Sequence, residues 1–219
     1  MSLLRRLIAP FLPAPRVSTD AEILAVEADI EVESGAPTPP PFDGPLDRIP
    51  RTRAEFNAMF GDPRGKNGKP DPAWVKANIV TVRDLPGVPS RWYFQCHRLV
   101  EPYLREAFRR AQLAAPEYRI ERAASFVYRH QRHDPKRPLS DHSWGIACDV
   151  DSGLNRAVTF APGETPEPWS PAWRKAWPDG LPQAFVEAFE SVGFTWGGRW
   201  KGFTDPMHMS FSGRSDVQV

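Results

Sequence analysis

The chain has 219 residues, 41% hydrophobic and 25% charged, with a net charge of +1. That is enough for one globular domain plus an appendage, and a charge so close to zero gives no reason to expect nucleic-acid binding. No segment approaches the roughly 20 consecutive apolar residues of a membrane-spanning helix.

The charge is unevenly spread. Residues 17–47 carry eight acidic groups and no Lys or Arg, whereas residues 48–219 carry 25 basic and 19 acidic groups. A mildly basic body suits an anionic polymer such as a cell wall, although ordinary surface charge explains it equally well. At the N-terminus, Arg5 and Arg6 precede a short apolar stretch broken by Pro10 and Pro13. It falls short of the roughly 7–15 residues of a signal-peptide core, so no Sec signal is expected. Thr19 and Glu22 fit a capping box, and Ile23, Val26 and Ile30 recur at helical spacing, which predicts a short amphipathic helix near 20–32. Residues 36–50 then hold six prolines and are expected to run as an extended linker. Residues 1–50 are thus read as an N-terminal arm and residues 51–219 as a single domain.

Within that domain, 51–60 reads as a helix stopped by Gly61 and Pro63, followed by a Gly-, Lys- and Pro-rich loop over 61–72. Ile79–Val82 is a strand candidate. His97 to Ala114 carries the longest helical pattern, with Leu99, Val100, Tyr103, Leu104 and Phe108 on its apolar face. Strands are expected over 123–129 and 146–151. Residues 161–180 hold five prolines and read as an irregular excursion, in which Trp169, Trp173 and Trp177 recur every four residues and are expected to pack on the body. A helix over 182–192 should turn Phe185, Val186 and Phe189 inward and stop at Gly193, and 207–211 is the last strand. Helices and strands interspersed without a βαβ repeat favour an α+β fold with an antiparallel sheet. Cys148 lies in an apolar run, so Cys96 and Cys148 are expected as buried free thiols rather than a disulfide.

Two segments carry the chemistry. In the first, strand alternation from Ile146 places Ile146, Cys148 and Val150 on one face and Ala147, Asp149 and Asp151 on the other. Gly145 permits a turn that brings His142 back to the carboxylate side. In the second, Met207, Met209 and Phe211 share the apolar face, while His208 and Ser210 share the other. His142, Asp149 and His208 then converge as three nitrogen and oxygen ligands with a position left open, the usual arrangement of catalytic zinc. Asp205 precedes His208 by three residues, outside the strand because Pro206 lacks the N–H a ladder needs. It is the candidate general base.

These residues resemble a known family. Ser140-x-His142-x-x-Gly145-x-Ala147-x-Asp149, then Gly193-Phe194-x-Trp196-Gly197-Gly198-x-Trp200, then Asp205-Pro206-Met207-His208 is similar to the zinc D-alanyl-D-alanine carboxypeptidases and L-alanyl-D-glutamate endopeptidases. That family includes bacterial cell-wall peptidases and phage endolysins, and shares its fold with the hedgehog signalling domain. The resemblance covers residues 120–212 clearly and 51–119 loosely. It implies a zinc ion on His142, Asp149 and His208, Asp205 as general base, and an arginine stabilising the developing oxyanion. Arg129 fits that last role best, with Arg132 the alternate. Asp rather than Glu at position 205 points to the endopeptidase branch, acting on peptidoglycan stem peptides. Many members carry Glu two residues after the last histidine where this chain has Ser210, which puts a supporting contact in doubt but not the metal. Residues 1–50 have no counterpart in the family pattern.

Other residues admit two readings. Ser140 either hydrogen-bonds near His142 and the substrate or forms the turn. Trp196 and Trp200 either line a substrate groove or fill the core. His130 and His133 would point to opposite faces of a strand, beside Arg132, Lys136 and Arg137, which disfavours a second metal site. The expectation is a zinc peptidase of phage or prophage origin, delivered by lysis or by the virion, with residues 1–50 tethering it to a virion or tail partner. The alternatives are a D-alanyl-D-alanine carboxypeptidase and a non-catalytic zinc-binding virion protein of the same fold.

Overall fold

The computed structural model describes residues 48–213. The helix expected near 20–32 lies outside the described residues, as does most of the proline-rich linker.

Helix α1 (Arg53–Phe60) starts at Thr52, whose hydroxyl accepts the Glu55 N–H while the Glu55 carboxylate accepts the Thr52 N–H. This reciprocal box satisfies two of the donors that every helix start leaves open. The helix ends at Gly61 and buries Phe56 and Phe60. Helix α2 (Pro72–Asn78) follows the expected loop. Its apolar pair, Trp74 and Val75, is too short a pattern to show periodicity, but Asp71 caps it by accepting the Ala73 N–H and Pro72 occupies its first turn.

Strand β1 (Ile79–Val82) pairs antiparallel with β2 (Phe94–His97). Helix α3 (Glu101–Ala114) therefore begins later than its apolar pattern suggests. The backbone of Phe94–His97 is committed to the β1 ladder, and Pro102, which has no N–H to give, suits a first helical turn. Helix α3 packs on α5 (Gln183–Glu190), with Phe108 centred 5.0 Å from Phe189.

The central sheet has four antiparallel strands in the order β3 (Ala123–Ala124), β4 (Ala147–Val150), β8 (His208–Ser210) and β6 (Thr195–Trp196). Strand β3 is shorter than expected because the chain leaves β4 after Ala124. Ser125 Oγ then accepts the Gln95 N–H at 2.7 Å, and the Phe126 N–H donates to Gln95 O at 2.9 Å. A small pair, β5 (Val158–Thr159) with β7 (Phe203–Thr204), is formed from the chain between β4 and β8. The Trp-rich excursion contains a helix, α4 (Pro171–Ala176), capped by Ser170. Trp173 and Trp177 are buried, and Trp169 stacks on Trp196 at 5.0 Å, so the tryptophans pack inward as expected.

The helices and small antiparallel sheets make an α+β fold. Cys96 and Cys148 are free and buried, and burial pushes both thiols up. Among the described residues no helix is long and apolar enough to cross a membrane.

Candidate metal centre

The ladder between β4 and β8 sets Asp149 directly opposite His208, with Cys148 opposite Met209 on the apolar side. The first histidine arrives on a 3₁₀ turn, Asp141–Trp144, which Gly145 terminates at φ +66°. A Cβ at Gly145 would sit 2.7 Å from the His97 backbone nitrogen and 2.7 Å from Ile79, so only glycine lets this turn press against β1 and β2.

His142, Asp149 and His208 each offer one ligand atom, and these atoms lie within 4.8 Å of one another. Asp149 Oδ1 is 3.2 Å from His142 Nε2 and 3.1 Å from His208 Nδ1. His142 Nδ1 faces the Ser125 carbonyl at 2.6 Å. A carbonyl only accepts, so Nδ1 carries a proton and Nε2 is the nitrogen that faces the carboxylate. That approach is attractive only with a cation between the two atoms, either a second ring proton or a metal ion. Burial lowers the pKa of His208, against the opposing pull of Asp149, which favours its neutral, ligating form. Burial pulls the Asp149 carboxyl upward, but the two histidines outweigh it and hold the group well below the ordinary range. Two buried imidazoles and an ionised carboxylate, one imidazole oriented by a backbone carbonyl, fit a zinc ion.

Asp205 stands beside this group. Its backbone N–H donates to Gly197 O at 3.0 Å, and its carbonyl accepts the His208 N–H at 3.1 Å. A Cβ at Gly197 would meet Asp205 O at 2.4 Å, so this glycine also permits a close approach. Asp205 Oδ1 is buried with no hydrogen-bond partner among the described residues. Burial, and then the negative charge of Asp149, push the Asp205 carboxyl up to about 8, while Arg129 and Arg132 pull it back. Both arginines therefore act on Asp205 electrostatically. Arg129 is not on a strand. Its N–H donates to Ser143 Oγ at 3.0 Å and its carbonyl accepts the Ser140 N–H at 2.9 Å, which ties it to the turn that carries His142. Arg132 has φ +54° and holds its guanidinium 4.0 Å from the centre of the Phe203 ring.

Of the two readings left open for Trp196, its burial fits the core. It is 2% exposed, packs against Trp169 and Trp173, and donates its indole N–H to Pro206 O at 2.7 Å. Trp200 lies nearer the centre, 5.3 Å from the His208 ring. Ser140 is buried at the head of the 3₁₀ turn, where its carbonyl accepts the Ser143 N–H. Asp151, on the ligand face by alternation, turns away at φ +49°. Its carboxylate accepts the N–H groups of Glu121 and Arg122 and the Tyr118 hydroxyl. His130 bonds the Arg137 carbonyl from the start of a 3₁₀ turn, and neither it nor His133 joins the metal group. His97, read as the start of a helix, is a buried strand residue.

Sequence reasoning missed the Ser125 carbonyl, which no side-chain pattern can reveal, and Asp141, whose position beside His142 was the only signal.

Residues 133–211 match a family model described as D-alanyl-D-alanine carboxypeptidase. The match spans the turn, β4 and β8, and so contains all three candidate ligands and Asp205. It supports a peptidase. Neither a search of curated proteins nor a search of solved structures finds a match.

Proposed function

We propose that this chain is a zinc-dependent peptidoglycan peptidase that hydrolyses an amide bond in stem peptides, with a hedgehog/DD-peptidase-like fold. The observation that carries the reading is the carbonyl-oriented His142 aimed at Asp149 and His208, with Asp205 beside them. His142, Asp149 and His208 would hold the ion. Zinc there would supply Lewis-acid chemistry suited to amide hydrolysis near neutral pH. Asp205, with an unpartnered buried oxygen and a raised pKa, suits a group that takes up a proton and delivers it to the leaving amine. Arg129 supplies positive charge close to that carboxyl, where negative charge develops in the transition state. Arg132 is the alternate for this role and, with Ser140, a substrate contact.

Asp205 at this position favours an L-alanyl-D-glutamate endopeptidase. The description of the matching family model favours a second reading, a D-alanyl-D-alanine carboxypeptidase. A non-catalytic zinc-binding virion protein would not need Asp205 facing the ligand group. Phage or prophage association and a virion partner for residues 1–50 remain part of the proposal. Digesting purified muropeptides with the zinc-loaded protein and weighing the products separates the readings. Release of terminal D-Ala marks the carboxypeptidase, and a cut after L-Ala marks the endopeptidase. No cleavage, or cleavage undiminished in His208→Ala, overturns both.

A further inference from the structure

We infer that Asp141, bridged to Ser210 and neutralised by Arg53, is a positioning residue that sets the distance between the two histidines. This rests on the metal reading above.

Asp141 immediately precedes His142, and Ser210 lies two residues after His208 on the same face of β8. Ser210 Oγ donates to Asp141 Oδ2 at 2.7 Å. Ser212 Oγ lies 3.3 Å from the same oxygen and 3.0 Å from Ser210 Oγ. The bridge therefore runs alongside the His142–His208 approach and links the same two segments. The other joints of the site are accounted for separately. The β4–β8 ladder fixes Asp149 against His208, and the Ser125 carbonyl fixes the His142 ring. The turn that carries His142 is outside the sheet, and the Asp141–Ser210 bond ties it to the strand bearing His208.

Asp141 is 3% exposed, and Ser210 and Ser212 are buried. A carboxylate so enclosed is costly without a cation. Arg53 Nη1 donates to Asp141 Oδ1 at 2.7 Å, and its guanidinium lies 5.1 Å from the ring centres of both Phe56 and Trp144. Arg53 comes from α1, upstream of residues 133–211, so the support of the metal group extends beyond the segment that matches the peptidase family.

The test measures zinc affinity by chelator competition, the visible spectrum of the cobalt-substituted protein, and the melting of the metal-free protein. It compares wild type with Ser210→Ala, Asp141→Asn, Arg53→Met and Arg53→Lys. The expected result is a roughly 10- to 100-fold weaker zinc affinity in Ser210→Ala and Asp141→Asn, with a shifted cobalt spectrum. Arg53→Lys should recover part of what Arg53→Met loses. Ser210→Ala removes one hydroxyl and should keep the fold, so it guards against misfolding in the charge variants. If wild type binds zinc and folded Ser210→Ala and Asp141→Asn bind it equally well with an unchanged cobalt spectrum, the positioning role is overturned alone. If wild type binds neither metal, the metal reading falls with it.

Discussion

Asp149 and His208 are direct cross-strand partners, and their side-chain ligand atoms approach to 3.1 Å. Two of the three candidate ligands are thus set by a backbone ladder, and only the third depends on a turn.

Metal should bind at one equivalent and stabilise the fold. At free zinc a hundredfold above the dissociation constant, the gain is about 2.7 kcal/mol, visible as a higher melting temperature that a chelator reverses. Asp149→Ala and His208→Ala should lose both the stoichiometric metal and the thermal gain. Retention of one tight zinc in either variant contradicts the assignment.

Asp205→Asn should separate binding from turnover. The residue is outside the ligand set, so metal content is unchanged, while turnover on muropeptides falls by roughly 10²- to 10⁴-fold. Loss of zinc in this variant would instead make Asp205 a ligand.

The two arginines are separable by kinetics. Arg129→Ala should lower kcat by roughly 10²- to 10³-fold, as expected on removing a charge that acts in the transition state. Arg132→Ala, at an exposed position over Phe203, should mainly raise KM. The reverse pattern would exchange their roles.

His97 gives the metal-free protein an acid sensitivity of its own. Its Nε2–H donates to Phe60 O and its Nδ1 accepts the Leu99 N–H, so a second ring proton has no place. Burial lowers its pKa to about 4 from 6.5. The unfolded chain takes up the proton near pH 6.5 and the folded chain only near 4, so stability is full above that window and declines as pH falls through it. The loss is about 3 kcal/mol. Denaturant titrations of the metal-free protein across this range should show the decline, and His97→Gln should flatten it.

Gly145→Ala should be among the most damaging single-methyl changes. The new carbon meets backbone at 2.7 Å, and φ +66° is already costly for an L-residue, by about 1–2 kcal/mol before any clash. Chemical denaturation measures the loss. A variant as stable as wild type would mean that the turn readily repacks.

Two of the three candidate ligands were legible because period-two alternation separates Cys148 and Met209 from Asp149 and His208, whatever the register. The helix cores were legible for a similar reason, since Phe185, Val186 and Phe189 repeat at the helical period and are buried. Helix α2 was not, because seven residues with only two large apolar ones, adjacent to each other, show no period, and only Asp71 and Pro72 mark its start. Nor was β2, four residues long, whose last residue, His97, reads as the start of the helix that follows. Trp196 was ambiguous because an indole suits a groove or a core equally, and its neighbours Trp169 and Trp173 come from the separate excursion that holds α4. Asp141 escaped because its partners, Arg53 and Ser210, stand 88 and 69 residues away.

The His97 N–H donates to Gly145 O at 2.8 Å, and Trp144 donates its indole N–H to Asn57 and to Gly61 O. The ligand-bearing turn is therefore clasped by α1 and β2, both upstream of the segment that resembles known peptidases. That segment is not a transferable cassette. Grafted onto another scaffold, residues 133–211 would leave behind the surfaces that shape their own turn, and a working chimera would have to exchange the two halves together.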